Sequence, residues 1–430
     1  MYLLYDFLLV VVAIFLVPYY LLRGYRYGKS RRGVRERLGY FSAEQLQALQ
    51  GRKIIWVHAV SVGETRAATP LLKELKRQNP DHLILLTNVT ETGHAMALEN
   101  PVVELCLFFP FDFSWTVRRV LQSINPCLIV IVETEIWPNF VREAHKLDIP
   151  MVLVNGRISD RSYPRYKLFR PLLRPVLECF SAFCMQSQLD AERINQLGAD
   201  NSRVENTGNL KFDHQLKEIS AEEVAERKQE YSVPEEVPVL VAGSTHAGEE
   251  EQLLAVYQAL LESGRQLLLV LIPRHPERCK EVQGLLEKCG IGSRLRSELT
   301  SGGDRLQPGE VLLVDTLGEV LALYSVADLV FVGGSFVPVG GHNLLEASLL
   351  EKPVLFGPQV HNFREISKKL IRAGAGVKVM NQQELVRQCC KLLDDPIRRR
   401  AMGQAGSAVI ADNAGATERT MRRIDRFVKG

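Results

Sequence analysis

Lys53–His58 reads KIIWVH, an apolar run of strand length. It empties into Ala59-Val60-Ser61-Val62-Gly63-Glu64 before helical spacing takes over from Thr65 to Gln78. An apolar strand followed at once by an amphipathic helix is the repeating unit of a parallel sheet, because a crossover helix returns the chain to the starting edge. The unit recurs. Leu83–Thr87, Cys127–Val132 and Met151–Val154 are further runs rich in Ile, Val and Leu, and Ala67–Gln78 and Ser114–Gln122 carry helical spacing. The pattern pauses over Asp213–Val237, which is charge-rich, contains Pro234 and has no strong strand signal. It restarts with Val239–Ala242, Gln266–Ile272, Val311–Val314, Leu329–Val332 and Pro353–Leu355. The expected fold class is therefore α/β, with two Rossmann-like domains and a cleft between the carboxyl ends of their strands. The expected boundaries are 23–212 and 238–410, joined by a linker at 213–237 with one solvated helix and followed by a C-terminal helix at 411–430.

The chain has 430 residues, 46% of them hydrophobic and 24% charged, which is ordinary globular composition. A formal net charge of +3 gives no reason to expect nucleic acid as a partner. The position of the positive charge matters more. Residues 1–22 are almost wholly apolar, broken by Asp6 and Pro18, and Arg23, Arg26, Lys29, Arg31, Arg32, Arg35 and Arg37 follow them. An apolar run of that length with a basic collar on one side predicts a membrane-anchor helix with the bulk of the chain in the cytoplasm. A signal peptide would carry its basic residues before the apolar run. A buried helix and a helix lying in the membrane interface are the competing readings. The 8 cysteines form no CxxC pair and no metal-ligand spacing, which suits small buried thiols in a reducing compartment.

Four turns in the C-terminal half carry polar groups at strand ends. Val330–Gly334 runs into glycines, and Gly340-Gly341 precede Asn343-Leu344-Leu345-Glu346. Paired glycines let the backbone approach a ligand, and a helix starting near Asn343 would aim amides at an anion. Asn343 with Glu346 three residues later is equally the spacing of a capping box. Ser244 lies in a second turn, Gly243–Glu250. Arg274 and His275 follow Gln266–Ile272 in a third, and Leu317, Gly318 and Glu319 follow Val311–Val314 in a fourth. Turns at the carboxyl ends of one parallel sheet converge, so together they predict a nucleotide site. In the N-terminal half, Glu64 begins a helix, where the dipole alone favours it, and a carboxylate there could also act as a general base. Glu133 and Glu135 end the strand Cys127–Val132, and Lys211 lies in Asn209–Asp213, either as a surface lysine or as a partner for a phosphate or carboxylate.

Five segments occur in order: SVGE at Ser61–Glu64, ETEIWPN at Glu133–Asn139, GNLKFD at Gly208–Asp213, PRHPER at Pro273–Arg278 and GGHNLLE at Gly340–Glu346. In this set the chain resembles the bacterial 3-deoxy-D-manno-octulosonic acid (Kdo) transferases over nearly its whole length. The resemblance implies a GT-B fold, CMP-Kdo as donor and the lipid A precursor as acceptor. It implies Glu64 as the general base, with Glu133 and Lys211 supporting the transition state. Arg274, His275, Leu317, Gly318, Glu319, Asn343, Leu344, Leu345 and Glu346 would hold CMP, with weaker roles for Ser244, Gly340 and Gly341. It also implies attachment to the cytoplasmic face of the bacterial inner membrane, in contact with membrane lipids.

The chemistry is consistent with these residues. Kdo leaves CMP through a ketose carbon with oxocarbenium character, so catalysis needs a base on the acceptor and positive groups for the departing phosphate. No Asp-x-Asp motif is present, and neither a metal nor any other cofactor is expected at the transfer site. Two other functions use the same two-lobed architecture: a nucleotide-sugar epimerase and a catalytically silent membrane sensor of nucleotide sugars. Neither the apolar N-terminus with its basic collar nor the acidic groups of the first half fit these as well as they fit a transferase.

Overall fold

The computed structural model describes residues 5–15, 33–213, 219–299 and 303–428. The chain divides into two compact units. Unit 1 is Met1–His214 with Asn413–Gly430, and unit 2 is Gln215–Asp412.

Unit 1 is built on seven parallel strands: β1 (Ile54–His58), β2 (Leu83–Asn88), β3 (Leu105–Phe108), β4 (Leu128–Val132), β5 (Met151–Gly156), β6 (Ala182–Met185) and β7 (Val204–Asn206). They lie in the order β3-β2-β1-β4-β5-β6-β7. Every residue of β1, β2, β4 and β5 is buried, which is why these strands read as unbroken apolar runs. Alternate residues serve opposite layers. Ile54 and Trp56 join Phe109, Val117, Leu121 and Phe140 on one face. Ile55 and Val57 join Ala68, Leu71 and Leu72 of the helix Val62–Gln78 on the other.

Unit 2 repeats the plan with β8 (Val239–Thr245), β9 (Leu268–Pro273), β10 (Ser293–Leu295), β11 (Val311–Leu313), β12 (Leu329–Val332), β13 (Val354–Phe356) and β14 (Gly376–Lys378). Their order is β10-β11-β9-β8-β12-β13-β14, again parallel throughout. Each sheet reverses its winding once, between β1 and β4 in unit 1 and between β8 and β12 in unit 2. The loops leaving these neighbours diverge, opening a crevice at their carboxyl ends where open α/β sheets bind ligands.

Three expectations need correction. Residues 219–237, expected as a linker, are packed into unit 2. The helix Ala221–Glu230 reaches Ser325 through Arg227 (2.9 Å), and Tyr231 is 1% exposed. The rest of the expected linker includes 214–218, outside the described residues. The C-terminal tail forms two helices, Pro396–Asn413 and Ala416–Val428, and the second belongs to unit 1. Its Ala416, Met421 and Ile424 enter the same apolar layer as Ile55 and Val57. Asp213 fixes its start by accepting from the amides of Gly415 (2.8 Å), Ala416 (3.3 Å) and Thr417.

The third correction concerns the basic collar. Most of the expected anchor and collar, residues 1–4 and 16–32, lies outside the described residues. Residues 5–15 are helical, and among the described residues no helix is long and apolar enough to cross a membrane. Arg37, expected in the collar, instead packs into unit 1. Its guanidinium sits 4.7 Å from the Phe108 ring centroid and donates to the Val89 carbonyl (2.5 Å). The helix of residues 5–15 leaves Phe7, Leu8, Val12, Ile14 and Phe15 exposed but is tied down by its first two polar side chains. The Tyr5 hydroxyl donates to Asp112 Oδ2 (3.0 Å), and Asp6 Oδ1 accepts from the Ser114 amide (3.2 Å) and from Asn139 Nδ2 (2.7 Å).

Candidate active site

In unit 1 the winding reversal brings together the ends of β1 and β4. Ser61 N-caps the helix Val62–Gln78, its hydroxyl facing the Glu64 amide at 3.5 Å. Glu64 folds back over this start. Its Oε2 accepts from the Val60 amide (2.7 Å) and its Oε1 from the Ser61 hydroxyl (3.0 Å). The carboxylate thus closes a helix start and still occupies the crevice position, so the capping and chemical readings describe one geometry. Burial pushes Glu64 up to about 8, with Glu133 and then Glu135 adding to the rise against the two hydrogen bonds. Glu135 is pushed up to about 7 by burial and by Glu133. These acids share one patch, and crowded carboxyls resist ionising together.

Glu133 takes a left-handed backbone (φ 60°) at the end of β4, uncommon for a residue other than glycine. Its carboxylate lies 3.6 Å from Lys211 Nζ. The lysine is placed by a chain of amide contacts. Asn155 Oδ1 accepts from the Leu210 amide (3.0 Å), Asn209 Oδ1 from the Lys211 amide (3.0 Å), and Asn209 Nδ2 donates to Gln186 Oε1 (3.0 Å). Leu210 and Phe212 are buried on either side, so Lys211 sits on a fixed turn rather than a free surface. Glu64, Glu133, Glu135 and Lys211 therefore form one cluster, three acids and one ammonium.

In unit 2 the crevice between β8 and β12 is lined differently. Ser244 adopts φ 58° at the end of β8, and Gly333 approaches so closely that a Cβ there would lie 2.5 Å from the Ser244 carbonyl oxygen. The loop after β12, where the backbone was expected to approach a ligand, holds an internal carboxylate. Glu249 is fully buried; its Oε2 accepts from the amides of Gly334 (2.7 Å) and His246 (3.2 Å), its Oε1 from Ser335 (3.1 Å) and Phe336 (2.9 Å). Burial still pushes its acid constant upward against those donors. Its neighbour Glu250 is equally buried and pairs with Arg278 (2.8 Å) while accepting from the Thr245 hydroxyl (3.0 Å). The sequence reading gives neither carboxylate a role. The adjacent Glu249-Glu250 after a small-residue turn was the available signal.

The turn carrying Gly340 and Gly341 is compulsory glycine. Both have positive φ (108° and 78°), and a Cβ on Gly340 would lie 2.5 Å from Asn362 Nδ2 and His361 Nε2. Beyond it the helix Leu345–Leu349 has five residues and no side-chain cap at Leu344. Asn343 Oδ1 accepts from the Leu345 amide (3.2 Å), two residues on rather than the three of a capping box. Leu344 and Leu345 bury their side chains, leaving only backbone to meet a ligand. Glu346 is half-buried, and its charge contributes to raising the acid constant of Tyr324.

Three of the four expected turns are joined by direct contacts. The Arg274 amide donates to the Thr245 carbonyl (2.9 Å), connecting the β9 and β8 turns. His246 Nε2 and His342 Nε2 lie 2.8 Å apart with parallel rings, connecting the β8 and β12 turns, and His275 stands edge-on to His246 at 6.0 Å. Burial lowers both paired histidines, His342 to about 4, with cationic neighbours including Arg274 adding to the effect. The pair was not singled out from sequence. Arg274 and His275 are exposed and available to an anion. The fourth turn is held separately: Glu319 accepts from Arg296 Nε (3.0 Å), Tyr231 (3.4 Å) and Thr316, so Gly318 backbone and the exposed Leu317 are what it offers.

Comparison with known proteins gives this geometry a family. A match to 3-Deoxy-D-manno-octulosonic-acid transferase (kdotransferase) covers residues 32–214. The chain is 31% identical to the 3-deoxy-D-manno-octulosonic acid transferase of Haemophilus influenzae, over 93% of this chain and 92% of that one. It is 36% identical to a bifunctional glycosyltransferase/methyltransferase of Fusobacterium nucleatum over 80% of this chain, and spans 53% of that longer protein. Among solved structures, a glycosyltransferase from Rickettsia africae superposes with TM-score 0.59 at 13% identity, covering 88% of this chain and 98% of the other. That likeness supports a GT-B-like fold of two Rossmann-like units. On its end-to-end similarity to the Haemophilus enzyme, the chain belongs to the 3-deoxy-D-manno-octulosonic-acid transferase family of glycosyltransferases.

Proposed function

We propose that this glycosyltransferase moves Kdo from CMP-Kdo to the lipid A precursor, with inversion at the anomeric carbon. In this reading unit 2 binds the donor and Glu64 of unit 1 removes the proton from the acceptor hydroxyl. The observation that carries it is the Glu64 carboxylate, fixed by the Val60 amide and Ser61 hydroxyl and pushed up to about 8 among acidic neighbours. A base is most useful when its conjugate acid titrates near the working pH, and an ordinary surface glutamate is far too weak. Lys211 and Glu133 set the charge around the developing oxocarbenium centre. Arg274, His275 and the amides near Asn343 meet the phosphate that leaves with CMP, and Glu346 meets the ribose.

The acceptor reading also assigns the N-terminus. We place residues 1–22 at the cytoplasmic face of the bacterial inner membrane, where the exposed apolar side chains of helix 5–15 and the basic residues after it would meet lipid tails and headgroup phosphates. The test is incubation of the full chain with CMP-Kdo and lipid A precursor, followed by mass spectrometry of the lipid. A mass gain of one or more Kdo units is expected, and an unchanged lipid mass with folded protein would refute the assignment.

A further inference from the structure

The loop that carries Glu133 and Glu135 runs into the helix Pro138–Lys146 through only Ile136 and Trp137. That helix has no side-chain cap of its own. Its first amides depend instead on Asp112, which accepts from Asn139 N (3.2 Å) and Phe140 N (2.8 Å). The helix Ser114–Ile124 is uncapped in the same way, and the residue that takes its Ser114 amide is Asp6. Asp6 Oδ1 also accepts from Asn139 Nδ2, while Tyr5 donates to the Asp112 carboxylate. Two polar residues of the N-terminal helix, more than 100 positions away in sequence, therefore complete the caps of two helices and tie their starts together. Asn139 is fully buried, and when Asp6 is lost its Nδ2 keeps only the bond to the Asp112 carbonyl (2.6 Å), leaving its second N–H without that acceptor.

We propose that Asp6 is a positioning residue for the Glu133–Asn139 loop, so that turnover needs the N-terminal helix for more than attachment. The proposal rests on the reading of Glu64 and Glu133 as the reacting groups. A two-residue connection cannot absorb a shift at Asn139, and a misplacement of about 1 Å away from the chemistry can cost on the order of 100-fold in rate.

The test uses the full chain in mixed micelles with CMP-Kdo and lipid A precursor, comparing Asp6→Ala, Asp6→Asn and Tyr5→Phe. Asp6→Ala removes the acceptor, whereas Asp6→Asn keeps a carbonyl oxygen at the same place. Asp6→Ala is expected to lower kcat by about 10- to 100-fold, with KM for CMP-Kdo within about twofold. Asp6→Asn should stay within about threefold of the unsubstituted chain and Tyr5→Phe should fall between them. The pH–rate profile of Asp6→Ala should move to lower pH as Glu133 and Glu135 loosen from Glu64. Hydrogen exchange gives a readout independent of activity: the amides of residues 133–140 should exchange at least about 10-fold faster in Asp6→Ala. Unchanged exchange would overturn the proposal whatever the activity. So would equal losses in Asp6→Asn and Asp6→Ala, or full recovery of Asp6→Ala on fusion to an unrelated membrane anchor. Failure of the functional reading would look different, as absence of transfer by the unsubstituted chain.

Discussion

Replacing Glu64 by glutamine should damage catalysis and strengthen the fold at the same time. The side chain titrates near 4.5 when free and near 8 in the folded protein. Below the lower value both states hold the proton and the group contributes nothing. As pH rises above it, the unfolded chain releases its proton while the folded chain keeps it, so stability is lost progressively until the folded group ionises. A difference of about 3.5 units at about 1.4 kcal/mol each sets a ceiling of about 5 kcal/mol. Solvent reaching this half-buried group reduces the realistic figure to about 2 kcal/mol. Glutamine carries no such penalty, and its amide can still accept from Val60 and donate to Ser61. The melting temperature of Glu64→Gln should therefore exceed that of the unsubstituted chain by about 4–8 °C near pH 8.5 and by little near pH 5. Calorimetry at both pH values, beside a transfer assay expected to drop by about 10²- to 10⁴-fold, checks both halves. A melting difference independent of pH would refute the claim that Glu64 is held protonated by its surroundings. Undiminished transfer would refute its role as base.

The remaining predictions separate structure from ligand binding. Glu249→Ala leaves four backbone amides without their carboxylate and should cost about 3 kcal/mol or more, seen as early melting of unit 2. Glu346→Ala should shift melting less than Glu249→Ala and weaken CMP binding by about 10-fold or more in calorimetric titration, as expected for loss of one charge-assisted contact. If the two variants behaved alike, the division between filler and ligand contact would be wrong. Removing residues 2–22 should shift the protein from the lipid pellet to the supernatant in vesicle sedimentation, and should also depress turnover of soluble donor and micellar acceptor. Continued pelleting would contradict the attachment reading.

The parts of the fold legible from sequence were those whose physics is local. β1, β4, β8 and β9 announce themselves because both faces are buried, forcing continuous apolar runs. β10 (Ser293–Leu295) and β14 (Gly376–Lys378) are three-residue edge strands carrying Arg or Lys, with one neighbour each and nothing in their composition to mark pairing. The carboxyl-end turns were legible for the same reason as the strands that deliver them. What those turns do was less so. Asp6 and Asp112 look like ordinary acids until the fold sets them against helix starts over a hundred, and over twenty, positions away. Nothing in the Gly243–Glu250 turn marks Glu249 as the carboxylate that takes the amides of Gly334 and Ser335 on the neighbouring strand's loop. His246 and His342 meet only because β8 and β12 are neighbours in the sheet but distant in the chain.

The closing helix of unit 1 has a practical corollary for anyone dividing this enzyme. A fragment ending near residue 213 would contain all seven strands of the first sheet but would lack Ala416, Met421 and Ile424, leaving the layer over Ile55 and Val57 uncovered and Asp213 with no helix to cap. Such a fragment should be sticky and poorly soluble. The minimal autonomous form of unit 1 is a discontinuous gene: the first stretch fused by a short linker to residues 413–430, with unit 2 cut out as an insertion. Cut that way, each unit can be studied and mutated as a module, and the intervening segment can be exchanged for its counterpart from another member of the family.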